Sequence, residues 1–339
     1  MIYLDLVAIF LLSLFFIRVV YTFAPQIGLV DVPNERSSHT RHTARGAGIG
    51  FSMAIFSIIP LFYLDVFSDY TLIFLAIFLV FIVGFLDDLH STSPKTKFIV
   101  LIASTIFIMM DRFIIDYVGI FFGMSIYLGW FSYLFTIFAV VAFTNAINLI
   151  DGLDGLAGSI SIVIFMSFYI IGYQNSDLIL MVISGSFIAG LSAFLLFNWH
   201  PATIFMGDSG SLVLGFVISL LAIRSLIYIQ AISILFITAI PIIDTAIIVF
   251  RRKRAGRGIF SADKCHLHHI FHQFFANDTK KTVISFTIMQ MAYSLTGLQF
   301  TRDHDGGYLL ILFVLNILVV YQFTDAMIRR QKRDCIKSD

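Results

Sequence analysis

A chain of 339 residues that is 59% hydrophobic and only 13% charged, with a mean hydropathy of +0.93, carries more apolar surface than an aqueous fold can hide. Thirty-eight Phe and thirteen Tyr with only six Pro exclude disordered, collagen-like and low-complexity readings. A net charge of +1 excludes a generally basic nucleic-acid binder, and two cysteines, Cys265 and Cys335, are too few for a disulfide framework.

A spanning helix needs about 20 mostly apolar residues. In chain order the sequence offers eleven such stretches, several of them short: 2–23, 47–64, 70–86, 97–110, 126–144, 157–173, 178–197, 209–223, 227–250, 282–300 and 307–327. The predicted fold is all-α, one polytopic transmembrane domain over residues 1–339, with a cytoplasmic basic and histidine-rich loop at 251–281 and a cytoplasmic tail at 328–339. The first stretch holds Asp5 and Arg18, lacks a basic leading region and a small-residue cleavage site, and reads as a retained helix. With the N-terminus periplasmic and the C-terminus cytoplasmic, the inner segments hold 18 of the 22 Lys and Arg, a strong positive-inside bias. No internal repeat marks two matching halves, so the usual pointer to an alternating-access transporter is missing.

The unusual polar clusters all fall on this inner side. Asp87 and Asp88 close the third stretch in VGFLDD; about 100° apart on a helix, they suit two tasks better than joint ligation of one ion. Acids at a helix C-terminus oppose the macrodipole and need another reason to be there. Ser93 and Pro94 are placed as N-cap and first residue of the next helix. In NAINLIDGLDGLAGS, the side chains Asn145, Asn148, Asp151 and Asp154 recur at intervals of three, which aligns them if the segment is helical. That loop contains no Lys or Arg to pair with its acids, which at a membrane boundary points to a metal or water. In FNWHPATIFMGDSGSL, Asp208 stands just before a helix whose N-terminus faces the cytosol, where it and Ser209 would also serve as a cap. After the ninth stretch, His266, His268 and His269 lie beside Cys265 and among Arg251, Arg252, Lys253, Arg254, Arg257 and Lys264. Zinc ligation is one reading of that group, but a cradle for negative charge fits it better. Asp244, about two turns inside the ninth stretch, reads as orienting the basic loop. Together these groups offer oxygen ligands for a hard cation and basic groups for a diphosphate at a bilayer boundary, where one reactant can be a lipid.

Six motifs in order, DVPNERSSHTRHTARGAG, the paired Asp87 and Asp88, NAINLIDGLDGLAG, FMGDSGSL, PIIDT and FSADKCHLHH, resemble the polyprenyl-phosphate N-acetylhexosamine-1-phosphate transferases over almost the whole chain. The resemblance implies transfer of a sugar-1-phosphate from a UDP-N-acetylhexosamine to undecaprenyl phosphate, releasing UMP, at the cytoplasmic face of a bacterial inner membrane. It further implies a Mg²⁺ cofactor, with Mn²⁺ as a substitute, held by Asp208 and Asp151. The expected catalytic set is Asp87, Asp88, Asp151, Asp154, His266, His268 and His269, and the expected substrate-binding set is Arg45, Lys97, Asn145, Asn148, Asn198 and Arg254. Membrane lipids are partners, nucleic acid is not, and a homodimer follows by family analogy. GlcNAc is the default sugar, because the HxHH form is closer to the GlcNAc-1-phosphate group than to the muramoyl-pentapeptide-phosphate transferases of peptidoglycan synthesis, which are the alternative. The chain departs from the family pattern at Ala44, Arg45, Gly46, Ala47 and Gly48 and at Leu101. A proton- or cation-coupled transporter is the rival from another class; it would need acids along a path through the membrane, whereas most here lie on one face.

Overall fold

The computed structural model describes residues 2–31, 42–254, 256, 258 and 266–330. Among them run fourteen helices and five short strands. The first half comprises α1 (Ile2–Ile27), β1 (Val30–Asp31), β2 (Thr43–Arg45), α2 (Ala47–Phe62), α3 (Leu64–Asp69), α4 (Thr71–His90), α5 (Pro94–Met110), β3 (Tyr117–Phe121), β4 (Met124–Tyr127) and α6 (Phe131–Ile150). The second comprises α7 (Leu156–Asn175), α8 (Leu178–Asn198), β5 (Ile204–Phe205), α9 (Asp208–Ser225), α10 (Ala231–Ile237), α11 (Ala239–Arg254), α12 (Leu267–Phe274), α13 (Thr279–Gly297) and α14 (Gly307–Arg330).

Ten of the eleven apolar stretches each coincide with one helix and 227–250 with two, but seven helices among the described residues are long and apolar enough to cross a membrane, or eight if the bent pair α10 and α11 is one span. The chain is a mostly helical, polytopic membrane protein. Its centre is α9, in which every residue except Asp208 and Arg224 is buried, packed by α2, α4, α6 and α7. Ser93 accepts from the Thr96 N–H at 3.2 Å with Pro94 at the first helical position, as the sequence predicts.

Three features depart from the expected pattern. The stretch 227–250 is not one helix: α10 and α11 meet at 91°. Pro241 has no N–H to give the Ile237 carbonyl, which would be its helical partner. Gln290 of α13, fully buried, replaces that bond by donating to the Ile237 carbonyl at 2.7 Å and accepts from the Ile240 N–H at 3.1 Å. A side chain thus satisfies backbone that lipid cannot. The fifth stretch begins at Phe131 rather than 126, because residues 117–127 form the hairpin of β3 and β4. Phe122 and Gly123 at its tip have φ of 52° and 79°, the left-handed pair that a two-residue hairpin turn requires. Finally, a small sheet in the order β1, β2, β5 interrupts the all-α pattern. Ala44 and Arg45 pair in parallel with Ile204 and Phe205, tying the segment after α1 to the one before α9.

Candidate active site

The C-terminal ends of α4, α6 and α8, the N-terminal ends of α9 and α12 and the strands β1, β2 and β5 meet around one open cavity of about 330 Å³. Asp208 is the first residue of α9 and makes no cap of its own. The cap comes instead from Asp88, whose carboxylate accepts from the Asp208 N–H at 2.9 Å and the Ser209 N–H at 3.0 Å. Asp88 therefore answers both free N–H groups and the positive end of the helix dipole of a different helix. Gly207 makes this approach feasible: its φ is 77°, and a Cβ there would lie 2.5 Å from Oδ2 of Asp88. Gly84 lets α4 close on α9, since a Cβ at that position would strike the Asp208 carbonyl.

Asp87 points to a different neighbourhood from Asp88, as the 100° offset requires. Its Oδ1 accepts from the N–H and hydroxyl of Thr92, both at 2.8 Å, and its Oδ2 lies 2.8 Å from Nζ of Lys97. The same ammonium lies 2.5 Å from Oδ2 of Asp208. Asn148 donates to the other Asp208 oxygen at 3.1 Å and to the Ser211 hydroxyl at 2.8 Å. Four sequence-predicted residues are thus joined in one polar chain.

Asp151 caps the C-terminus of α6 and lines the cavity. Desolvation, with like charge from Asp208, Asp88 and Asp154, pushes its carboxyl well above the usual carboxylate range. The segment 151–155 is a turn, so the three-residue spacing does not continue as a helix past Ile150. Asp154 accepts from the Ala202 N–H at 3.1 Å and lies 2.7 Å from Nδ1 of His200. Asn198 lines the cavity, but both ends of its buried amide serve backbone: Oδ1 accepts from Gly155 at 2.8 Å and Nδ2 donates to Ile204 at 2.9 Å.

The histidines enter from the other side. Asp244 of α11, 1% exposed, hydrogen-bonds Nδ1 of His266 through Oδ2 and accepts the Leu267 N–H on Oδ1, both at 2.6 Å. It therefore fixes the start of α12. Ligand atoms of Asp244, His266 and His268 lie within 4.8 Å of one another, but both carboxylate oxygens already have partners, so the group reads as an orienting clamp. His268 stacks on His266, and its ring nitrogens are buried without a hydrogen bond. Burial, with His269, His266 and His272 nearby, pushes its pKa well below the usual imidazole value. His269, 4.2 Å from His268 between ring centroids, lines the cavity.

Residues 70–226 match glycosyl transferase family 4. The undecaprenyl-phosphate alpha-N-acetylglucosaminyl 1-phosphate transferase of Yersinia pestis is 34% identical, covering 78% of this chain and 75% of its own length. The enzymes of the same name from Escherichia coli K12 and Salmonella typhi are 32% and 30% identical, covering 78% and 92% of this chain and 75% and 88% of their own lengths. The chain belongs to this family.

Within this family 4 chain, the matched segment contains every acid of the polar chain around Asp208, whereas Arg45 and the histidines come from outside it. Arg45, on β2, lines the cavity and donates to the Asp88 carbonyl at 2.5 Å. The oxygen donors of Asp208, Asp151 and Asn148 share this cavity, a set that suits a hard divalent cation. Six expected residues do not line it: Asp87 and Lys97 connect to it through Asp208, His266 and His268 stand beside His269, and Asn145 and Arg254 are directed elsewhere. Asn145 is exposed on α6, one turn before Asn148, and Arg254 donates to the Tyr321 hydroxyl at 2.9 Å at the far end of α11. Asp263, Lys264, Cys265, Arg257 and Cys335 lie outside the described residues. The sequence reading missed Asp31, His200 and Ser211. His200 follows Asn198 and Trp199 in FNWHPA and was readable as a motif residue; Asp31 carries no spacing signal of its own.

Proposed function

We propose that this chain transfers GlcNAc-1-phosphate from UDP-GlcNAc to undecaprenyl phosphate and releases UMP, with the cavity facing the cytoplasm of a bacterial inner membrane. The observation that carries the reading is the convergence of Asp88, Asn148, Asp151 and Asp208 on one cavity at the ends of apolar helices, in a chain related to enzymes of that name. The positive-inside bias supports the orientation.

Asp208 and Asp151 would hold Mg²⁺, with Asn148 beside them; Mn²⁺ would serve as well. A divalent cation there neutralises charge on the donor diphosphate. An oxygen of the lipid phosphate attacks the sugar-linked phosphorus, the bond from that phosphorus to the bridging oxygen breaks, and UMP leaves with that oxygen. A phosphate monoester has its second pKa near about 6 and is mostly dianionic at neutral pH, so no strong base is needed. Asp87, held by Thr92 and Lys97, acts by positioning Lys97. Lys97 and Arg45 supply positive charge to the phosphates, Asp88 fixes the start of α9, and Asp244 aligns the histidines.

The test is UMP release by purified protein with undecaprenyl phosphate, Mg²⁺ and a panel of UDP-sugars. UDP-GlcNAc should be turned over, EDTA should stop the reaction and Mn²⁺ should restore it. Turnover of UDP-MurNAc-pentapeptide alone, or of no donor by protein that binds UDP, would overturn the proposal.

A further inference from the structure

Lys97 lies in the first turn of α5, capped from Ser93, and its four-carbon stem could carry the ammonium out to water. It instead reaches across to α4 and α9, 2.8 Å from Oδ2 of Asp87 and 2.5 Å from Oδ2 of Asp208. With Thr92 on Asp87 and Asn148 on Asp208, every carboxylate oxygen of this pair has a partner within the chain. An ion approaching Asp208 therefore meets a carboxylate already neutralised by an ammonium of like charge, and two cations a few ångströms apart repel.

We infer that Lys97 and the divalent cation compete for Asp208. The ammonium holds the pair until a nucleotide diphosphate arrives; the diphosphate accepts the displaced ammonium, and the cation enters with it instead of being held beforehand. This inference rests on the assignment of Asp208 as a cation ligand. It differs from a static role for Lys97, in which the lysine touches phosphate and leaves the ion's affinity unchanged.

The test is Mn²⁺ binding read by electron paramagnetic resonance on the full chain in nanodiscs, with and without UDP. Without nucleotide, Lys97→Gln should bind Mn²⁺ about tenfold more tightly than wild type or better, within the usual range for coupled sites. Lys97→Arg, which keeps the charge, should stay near wild type. UDP should strengthen Mn²⁺ binding more in wild type than in Lys97→Gln. Equal or weaker binding by Lys97→Gln would overturn the inference. Unaltered Mn²⁺ binding by Asp208→Asn would instead sink the cation-ligand assignment beneath it. Wild-type protein gives a second readout that does not depend on the folding of a variant. Saturating Mn²⁺ should raise acetylation of Lys97, followed by mass spectrometry, while the exposed Lys95 stays constant; unchanged or reduced labelling of Lys97 would also overturn the inference.

Discussion

Replacing Asp244 with Asn tests whether the histidines act through the clamp that holds them. The carboxylate is buried and accepts two hydrogen bonds of 2.6 Å, one from the His266 ring and one from the Leu267 N–H. An asparagine of the same shape has one acceptor and one NH₂, so it keeps one of these contacts and turns a donor toward the other. Losing a charge-assisted bond in such a setting costs about 1.5–3 kcal/mol. That is roughly a ten- to hundredfold fall in the population with α12 seated and His269 directed at the cavity. Asp208→Asn removes charge from the proposed cation site itself, worth several kcal/mol, and should cost about a thousandfold or more. UMP release by both variants gives the ranking, and hydrogen exchange across residues 266–274 shows whether α12 has loosened in Asp244→Asn. Equal and complete losses, or lost activity with unchanged exchange in α12, would refute the positioning role.

Three further outcomes are expected from the same geometry. Gly207→Ala places a methyl 2.5 Å from Oδ2 of Asp88 at a left-handed φ, so about 1–3 kcal/mol of strain should appear as a lower melting temperature together with reduced UMP release; unchanged values would show that the cap from Asp88 is dispensable. Asn198→Ala leaves the Gly155 N–H and the Ile204 carbonyl unpaired at about 1–3 kcal/mol each, and Asn198→Asp, which keeps the acceptor, should melt between it and wild type. The raised Asp151 pKa means the folded chain holds that proton to higher pH than the unfolded chain does, so the group's contribution is favourable at low pH and is lost as pH rises from the ordinary carboxylate value through the raised one. In chelator, wild-type melting temperature should therefore fall more than that of Asp151→Asn between about pH 4 and pH 7; parallel profiles would rule the assignment out.

Helix positions and the motif acids were legible because both are local signals. An apolar run of about 20 residues announces a span wherever it packs, and Asp208 between two glycines is visible in six residues. The cap on α9 was not legible: it joins Asp88 to residues 120 and 121 positions away, and nothing in either segment specifies the other. The strands β1, β2 and β5 are two or three residues long and exist only through their pairing across the chain. The run of threes from Asn145 failed for a definable reason. The alignment held only on condition of one helix through Asp154, whereas Asp151 ends α6 and the glycine-rich turn redirects the chain there, so that Asn145 faces outward while Asp151 and Asp154 face the cavity. The bend at Pro241 left a clue in the proline itself, but its repair by Gln290 required the packed structure.

The cavity's charge explains why these parts occur together. Five carboxylates, Asp31, Asp88, Asp151, Asp154 and Asp208, line it against one guanidinium, Arg45, and the C-terminal ends of α4, α6 and α8 add the negative poles of their dipoles. Such a surface repels a diphosphate and a lipid phosphate alike unless cations intervene. Lys97 supplies one from within the chain, and it does so by occupying an oxygen that a divalent ion would need. On the proposed reading the anionic donor enters such a surface only in company with a cation, because the five carboxylates give a diphosphate no favourable place without one. The acids that look excessive for holding a single ion are then what make donor entry conditional on the cation.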